Sequence, residues 1–345
     1  MTRQLEVAGT GFHLDGRPFD MWGIRLANAL ESDAVTSAAI QALDDYVAHG
    51  VNTFSVFLQG GSTGSANPFD ADGSFTRRTR RPECGPIFKG RGDVNGVAEG
   101  NQVLDRLAVL IDEADARGMV VNVGVFYQAR IRQLADERAV LRATGETARW
   151  LVGKGCRNVF VDLVNEYGHG GFQSMPLCFG RSDRCASDGG EELIAAFKEA
   201  APTIPVSISA DNRRPVIFDG SDLVLIHFPS PPQEVRDQAG RDLPVVLNEW
   251  GHGEAGPQTN DLAGRYSPED AAKWQETIRT MRDGGGFVFY HSMWKQHLTE
   301  SGGPHFELGP ESAQPVDGRS GQPSDHWFFD LVHDMTSGSG PGAST

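Results

Sequence analysis

With 345 residues, 39% of them hydrophobic and 9% aromatic, the chain has the composition of a globular protein with enough length to bury a sizeable core. Its net charge of −15, with both signs interspersed, argues against nucleic acid as the main partner, because phosphate binding needs a basic face. No apolar run approaches the length of a bilayer span, so no membrane partner is expected either.

The N-terminus, MTRQLEVAGTGFHLDG, lacks the apolar centre of a signal peptide. Localisation stays open: cytoplasmic as written, or secreted or periplasmic if a leader has been removed. LEVAGTGFHLDGRPF reads as a small hairpin turning at Asp15-Gly16, a segment suited to plugging one end of a barrel.

Apolar, β-branched runs then predict strands at 19–26, 52–58, 119–126, 159–164, 205–209, 223–228, 244–248 and 286–294. These runs show no polar alternation, as expected of strands buried on both faces of a parallel sheet. Amphipathic stretches separate most of them, among them 36–50, 101–118, 192–200 and 268–285, and several end in glycine. Eight β/α units over about 290 residues predict an α/β fold, a (β/α)8 TIM barrel with a short N-terminal β-hairpin. A doubly wound open sheet is the alternative, but WGIRLANAL is not the Gly-rich phosphate loop such a sheet carries after its first strand. Residues 1–333 read as one domain, and 334–345, rich in Gly and Ser, as a disordered tail.

Four long segments, 59–100, 167–190, 250–267 and 295–325, follow predicted strand ends. In a barrel that is the active-site face. Cys84, Cys156, Cys178 and Cys185 match no zinc spacing. Cys178 and Cys185 bracket a short loop and would form a disulfide in an oxidising compartment or stay as free thiols, while Cys156 reads as core.

Nearly the same phrase closes two of the strands. FVDLV runs into Asn165-Glu166-Tyr167-Gly168-His169-Gly170, and PVVL into Asn248-Glu249-Trp250-Gly251-His252-Gly253. Two strands that each deliver a carboxylate at the C-terminal tip look like the two-carboxylate equipment of glycoside hydrolysis. By the strand count Glu166 ends strand four and Glu249 strand seven.

This arrangement resembles the large clan of retaining glycoside hydrolases that includes the cellulase-like family five. FHLDGRPFDMWGIR is similar to the clan's first strand and preceding turn, and GVNTFSVFL to its second. The resemblance implies that Glu166 is the acid/base, with Asn165 on the sugar 2-hydroxyl, and that Glu249 is the nucleophile. It implies substrate contacts from His227 on strand six and from Trp294 on strand eight, which would floor the sugar site. Trp22 and Trp250 are further candidates for stacking on a sugar. The clan's strand-two arginine is replaced here by Ser55; Arg25 on strand one is the candidate to take its place. Tyr127, a further substrate-binding candidate, and Gln128 stand where strand three often carries a histidine. A carbohydrate substrate is implied and no cofactor, and the long loops favour exo action.

Two other readings compete. A barrel can bind sugar without cleaving it, and the sequence separates the two poorly. A metal-dependent TIM-barrel enzyme would use some of Glu166, His169, Glu249 and His252. Glycine interrupts both Glu-x-x-His phrases, so no metal site is assigned. Oligomeric state and sugar identity are not readable.

Overall fold

The computed structural model describes residues 2–61, 63–76, 78–79, 99–172, 188–210, 215–252, 268–292 and 326–337. The chain opens with β1 (Leu5–Ala8), β2 (Gly11–Leu14) and β3 (Arg17–Phe19), which pair antiparallel in that order. The expected single hairpin is therefore two consecutive ones. Gly9, at φ +59, makes the first turn, and Asp15 and Gly16, at φ +53 and +73, make the second. Positive φ at both central residues is the turn that matches strand twist.

The main sheet follows. β4 (Trp22–Arg25) leads to α1 (Asp33–Gln41), capped by Ser32, and α2 (Leu43–Ala48). Then come β5 (Thr53–Phe57), the short pair β6 (Arg78–Thr79) and β7 (Glu99–Gly100), and α3 (Gln102–Ala116), capped by Asn101. β8 (Val120–Phe126) precedes α4 (Glu137–Lys154), which starts at an Asp136 cap and stops at Gly155, φ +70. β9 (Val159–Val164) precedes α5 (Asp188–Ala200). β10 (Val206–Ser207) and β11 (Ser209–Ala210) precede β12 (Val224–Ile226), α6 (Pro232–Ala239), β13 (Val245–His252), α7 (Pro268–Asp283), β14 (Phe287–Ser292) and α8 (His326–Ser337). The last helix runs four residues past the expected domain boundary at 333.

The sheet order is β10-β9-β8-β5-β4-β14-β13-β12-β11, with every pairing parallel. β10 and β11 are two halves of one strand interrupted at Ile208. The first half pairs with β9 and the second with β12, so the ring closes as an eight-stranded (β/α)8 barrel. All eight strands fall within a few residues of their predicted positions.

The barrel interior is divided along its axis. At the N-terminal end Phe160, Leu225, Val246, Phe287 and Phe289 pack with Leu5 and Phe12 of the antiparallel sheet. The Phe12 ring lies 5.1 Å from Phe287 and 6.2 Å from Phe160, so the N-terminal sheet plugs this end. Small residues make room for these rings. A Cβ on Gly23 would sit 2.2 Å from the Phe289 ring; nearer the C-terminal end, one on Gly124 would sit 2.1 Å from the Phe57 ring. Successive inward residues lie two apart on a strand. The pairs Phe160/Asp162, Leu225/His227 and Phe289/His291 therefore take the interior from apolar to polar within one step. A polar upper layer, buried beneath the C-terminal rim, results.

Candidate active site

Glu166 follows the end of β9 at φ +62, a left-handed conformation unusual for a residue with a side chain. Its backbone is held there by neighbours. The His169 N–H donates to the Glu166 carbonyl at 2.9 Å, the Glu166 N–H donates to Ser209 Oγ at 3.4 Å, and the Tyr167 N–H donates to the Ser209 carbonyl at 2.7 Å. The strain turns the carboxylate over the barrel mouth, where its side chain is 24% exposed. Strain of this kind persists where surrounding contacts over-determine the conformation.

Glu249 arrives on β13, whose pairing with β14 slips between Leu247 and Trp250. Neighbours on a regular strand face opposite ways. Here Asn248 reaches Asp162, its Nδ2 donating to Oδ2 at 3.2 Å, while Glu249 Oε2 lies 3.0 Å from Arg25 Nη1. The irregularity sends two consecutive side chains inward.

Arg25 binds the two halves of the site together. It is fully buried and rests over the Phe57 ring, 4.9 Å from its centroid. Besides Glu249 it donates to the Asn165 side-chain oxygen at 2.9 Å and to the Asn248 carbonyl at 3.1 Å. Arg25 pairs in register with Ser55, whose hydroxyl accepts from Asn122 Nδ2 at 3.0 Å.

His227 stands between the carboxylates. Its Nδ1 lies 3.5 Å from Glu166 Oε1 and 3.4 Å from Glu249 Oε2. Burial alone would depress its pKa. The charge of Glu249, then the hydrogen bond and charge of Glu166, outweigh that, and the pKa is raised. Gln128 Nε2 donates to Glu166 Oε2, and His291 Nε2 lies 3.5 Å from Glu249 Oε1. Donor atoms of Glu166, His227 and Glu249 all fall within 4.8 Å of one another, close enough to hold one metal ion. The Arg25 cation already beside Glu249 opposes a second positive charge there.

The structure thus gathers Glu166, Glu249, Asn165, His227 and Arg25. Tyr127 lies beside them under the rim, its ring edge-on to Phe57 at 5.6 Å and its N–H donating to Gln59 Oε1 at 3.1 Å. Trp250 is 8% exposed and packs into the layer between barrel and helices. Trp22 corrects an expectation. It begins β4, at the plugged end, where its indole donates to Asp20 and the Arg282 guanidinium covers its ring at 4.3 Å. Gly23 and Ile24 separate it from Arg25 along the strand, so it does not reach the carboxylates. His169 Nδ1 accepts from the Gly171 N–H and serves the local turn. Trp294, Cys84, Cys178 and Cys185 and the side chain of His252 lie outside the described residues, as does most of the long loops on which exo action was argued. Cys156 is buried and unbridged, its thiol pushed up to about 12 chiefly by burial.

Sequence reasoning missed His291, Asp162 and Ser209, and named Gln128 without assigning it to the site. A separate polar cavity of about 310 Å³ beside α3 adds nothing to the site. Its Glu31 already accepts from the Ser65 and Ala66 N–H groups, and its Asn101 donates to two loop carbonyls.

No protein-family model and no curated protein matches the chain. Solved structures are similar in fold. A glycoside hydrolase family 5 structure from Bacteroides vulgatus aligns at TM-score 0.59 and 12% identity, over 95% of this chain and 68% of that one. The catalytic domain of an endoglucanase from Thermobifida fusca, in complex with cellotetraose, aligns at TM-score 0.54 and 15% identity, over 95% and 97%. A β-1,4-D-mannanase from Cryptopygus antarcticus aligns at TM-score 0.53 and 13% identity, over 96% and 94%. Another Bacteroides vulgatus structure, at TM-score 0.60 and 14% identity, is longer: this chain spans 59% of it. At these identities the likeness establishes the barrel.

Proposed function

We propose that this protein is a retaining glycoside hydrolase acting on an oligo- or polysaccharide, with Glu249 as nucleophile and Glu166 as acid/base. The observation that carries this reading is the separation of the two glutamates. Oxygens of both, with His227 Nδ1 between them, lie within 4.8 Å of one another. Retaining enzymes place their carboxyl groups about 5–5.5 Å apart; inverting ones leave about 6.5–9.5 Å for a water.

The environments divide the roles. Glu249 is 8% exposed and gripped by the Arg25 guanidinium, which favours the ionised form a nucleophile needs. Glu166 is the more open of the two, and it can exchange its proton with solvent. A Glu249 oxygen attacks the anomeric carbon as the bond to the leaving oxygen breaks, and Glu166 gives that oxygen its proton. Glu166 then takes a proton from water, whose oxygen attacks the same carbon and releases Glu249. Asn165 gives its side-chain oxygen to Arg25, and its Nδ2 has no hydrogen-bond partner among the described residues. That amide is the donor we assign to the sugar 2-hydroxyl, a contact that strengthens in the transition state.

The test is sugar release from a broad panel of polysaccharides and aryl glycosides, with the product anomer followed by NMR. Wild type should release product of retained configuration, Glu249→Gln should release none, and azide should restore turnover to Glu249→Ala. An inverted product contradicts the mechanism. Binding by wild type without release favours a sugar-binding barrel. The cluster of Glu166, His227 and Glu249 keeps a metal-dependent reading in view, and activity that is lost to a chelator and restored by metal would support it.

A further inference from the structure

Asp162 is a fully buried carboxylate, the fourth residue of an otherwise apolar strand, β9, and neither glutamate's chemistry as described above uses it. Three donors converge on it. The Ser209 N–H donates to Oδ1 at 3.0 Å, the Ser209 hydroxyl to Oδ2 at 2.8 Å, and Asn248 Nδ2 to Oδ2 at 3.2 Å. Those two residues each control one glutamate. Ser209 Oγ accepts the N–H of Glu166 at its strained φ, and Asn248 precedes Glu249 on the irregular stretch of β13. A continuous path therefore runs from the Glu166 N–H through Ser209 and Asp162 to Asn248 and β13.

We propose that Asp162 is a positioning residue that sets the distance between the two glutamates by anchoring both of their backbones to one buried carboxylate. The proposal rests on the hydrolase reading. All three partners are donors, so the network is built for the ionised carboxylate; a protonated one would have to turn a donor away. Burial works against that ionised form and lifts the pKa to about 6, against the pull of Ser209, His227 and Arg25. The charged and titratable groups facing Asp162 or its partners are His227, Arg25, Glu166 and Glu249. An anion held in this buried layer at an energetic cost, with three donors aimed at it, points to a use in the site.

The experiment compares wild type, Asp162→Asn, Ser209→Ala and the double variant on the best substrate from the panel. Asp162→Asn should lower kcat on the order of 10- to 100-fold, the loss expected from misplacing reacting groups by a fraction of an ångström, with KM changed by less than about threefold. Its melting temperature should not fall. The double variant should lose no more than Asp162→Asn alone, because both act along one path. A second readout needs no turnover: the ring of His227, sandwiched between the glutamates, is titrated by histidine side-chain NMR. Losing the Asp162 charge lowers that midpoint directly in Asp162→Asn, so the coupling is read in Ser209→Ala, which removes no charge and should still move the midpoint to lower pH.

Unchanged kcat, additive losses, or a fall in kcat that tracks a fall in melting temperature overturns the proposal. Should Asp162→Asn not fold, Ser209→Ala decides on kcat and on the His227 midpoint. Should wild type release no sugar, the hydrolase reading falls by itself, and the His227 midpoint still decides: a value in Ser209→Ala identical to wild type refutes the coupling.

Discussion

Replacing Asp162 with asparagine should make the protein more stable at neutral pH than at acid pH relative to wild type. The structure sets the size of the effect. The folded state raises this carboxyl from 3.8 to about 6, with burial the largest cause. At about 1.4 kcal/mol per tenfold in proton affinity, that corresponds to about 3 kcal/mol. The sign follows from proton counting. Between pH 3.8 and about 6 the folded protein holds a proton on Asp162 that the unfolded chain has released, so this group's contribution to stability falls as pH rises through that window. Asparagine does not titrate. The difference in unfolding free energy, Asp162→Asn minus wild type, should therefore climb by about 3 kcal/mol from about pH 3.5 to about pH 7.5 and be flat above that. Urea unfolding of both proteins at a series of pH values measures it. A difference that does not change with pH, or one that declines, would show that Asp162 is not held ionised against its burial, and the argument that the site retains it at a cost would fail.

Arg25→Met should remove the cation that serves Glu249, Asn165 and the Asn248 carbonyl together, costing about 3–5 kcal/mol because Glu249 is left buried without it. Denaturant unfolding should show part of that loss recovered in Arg25→Met/Glu249→Gln, and full additivity would deny the pairing. His227 has its pKa raised in the folded state, so it adds stability that is complete below the ordinary histidine range and fades as pH rises through the raised value. His227→Gln should accordingly be most destabilised in acid and converge on wild type in alkali, as thermal melts across pH would reveal; the opposite trend would mean that burial wins over the two carboxylates. Glu166→Gly should be more stable than Glu166→Ala by about 1 kcal/mol, since only glycine adopts φ +62 without strain. Both should be inactive, and equal melting temperatures would refute the strain.

The fold was legible because a parallel barrel repeats a simple pattern. Strands buried on both faces read as unbroken β-branched runs, and the glycines at 118, 155 and 240, all at positive φ, punctuate the helices between them. Periodicity was weaker at saying which end of a strand a residue occupies. Trp22 and Arg25 share one four-residue strand, yet the rise of about 3.3 Å per residue puts one at the plug and the other at the carboxylates. The N-terminal sheet was read one strand short, because Gly9-Thr10 lacks the Asn-Gly or Asp-Gly signature that marked the second turn.

The site was legible where chemistry sat on a repeated phrase and illegible where it depended on register. Asp162 and His291 were overlooked inside apolar runs, VFVDLV and FVFYHS, in which one polar residue looks like an interruption. Each lies two positions beyond a phenylalanine of the plug, Phe160 or Phe289, and so on the same inward face but one layer higher. Counting by two from the plug identifies both, but the count needs the plug first, and the plug is a long-range contact. Ser55 illustrates the same dependence in reverse. Met at a glance as a missing arginine, it becomes intelligible once β4 and β5 are in register, because a small side chain at 55 sits directly opposite Arg25. The guanidinium then occupies the space from the neighbouring strand, over Phe57 and against Glu249. What matters to Glu249 is a buried cation at about 3 Å, and either strand can deliver it provided the other yields the room.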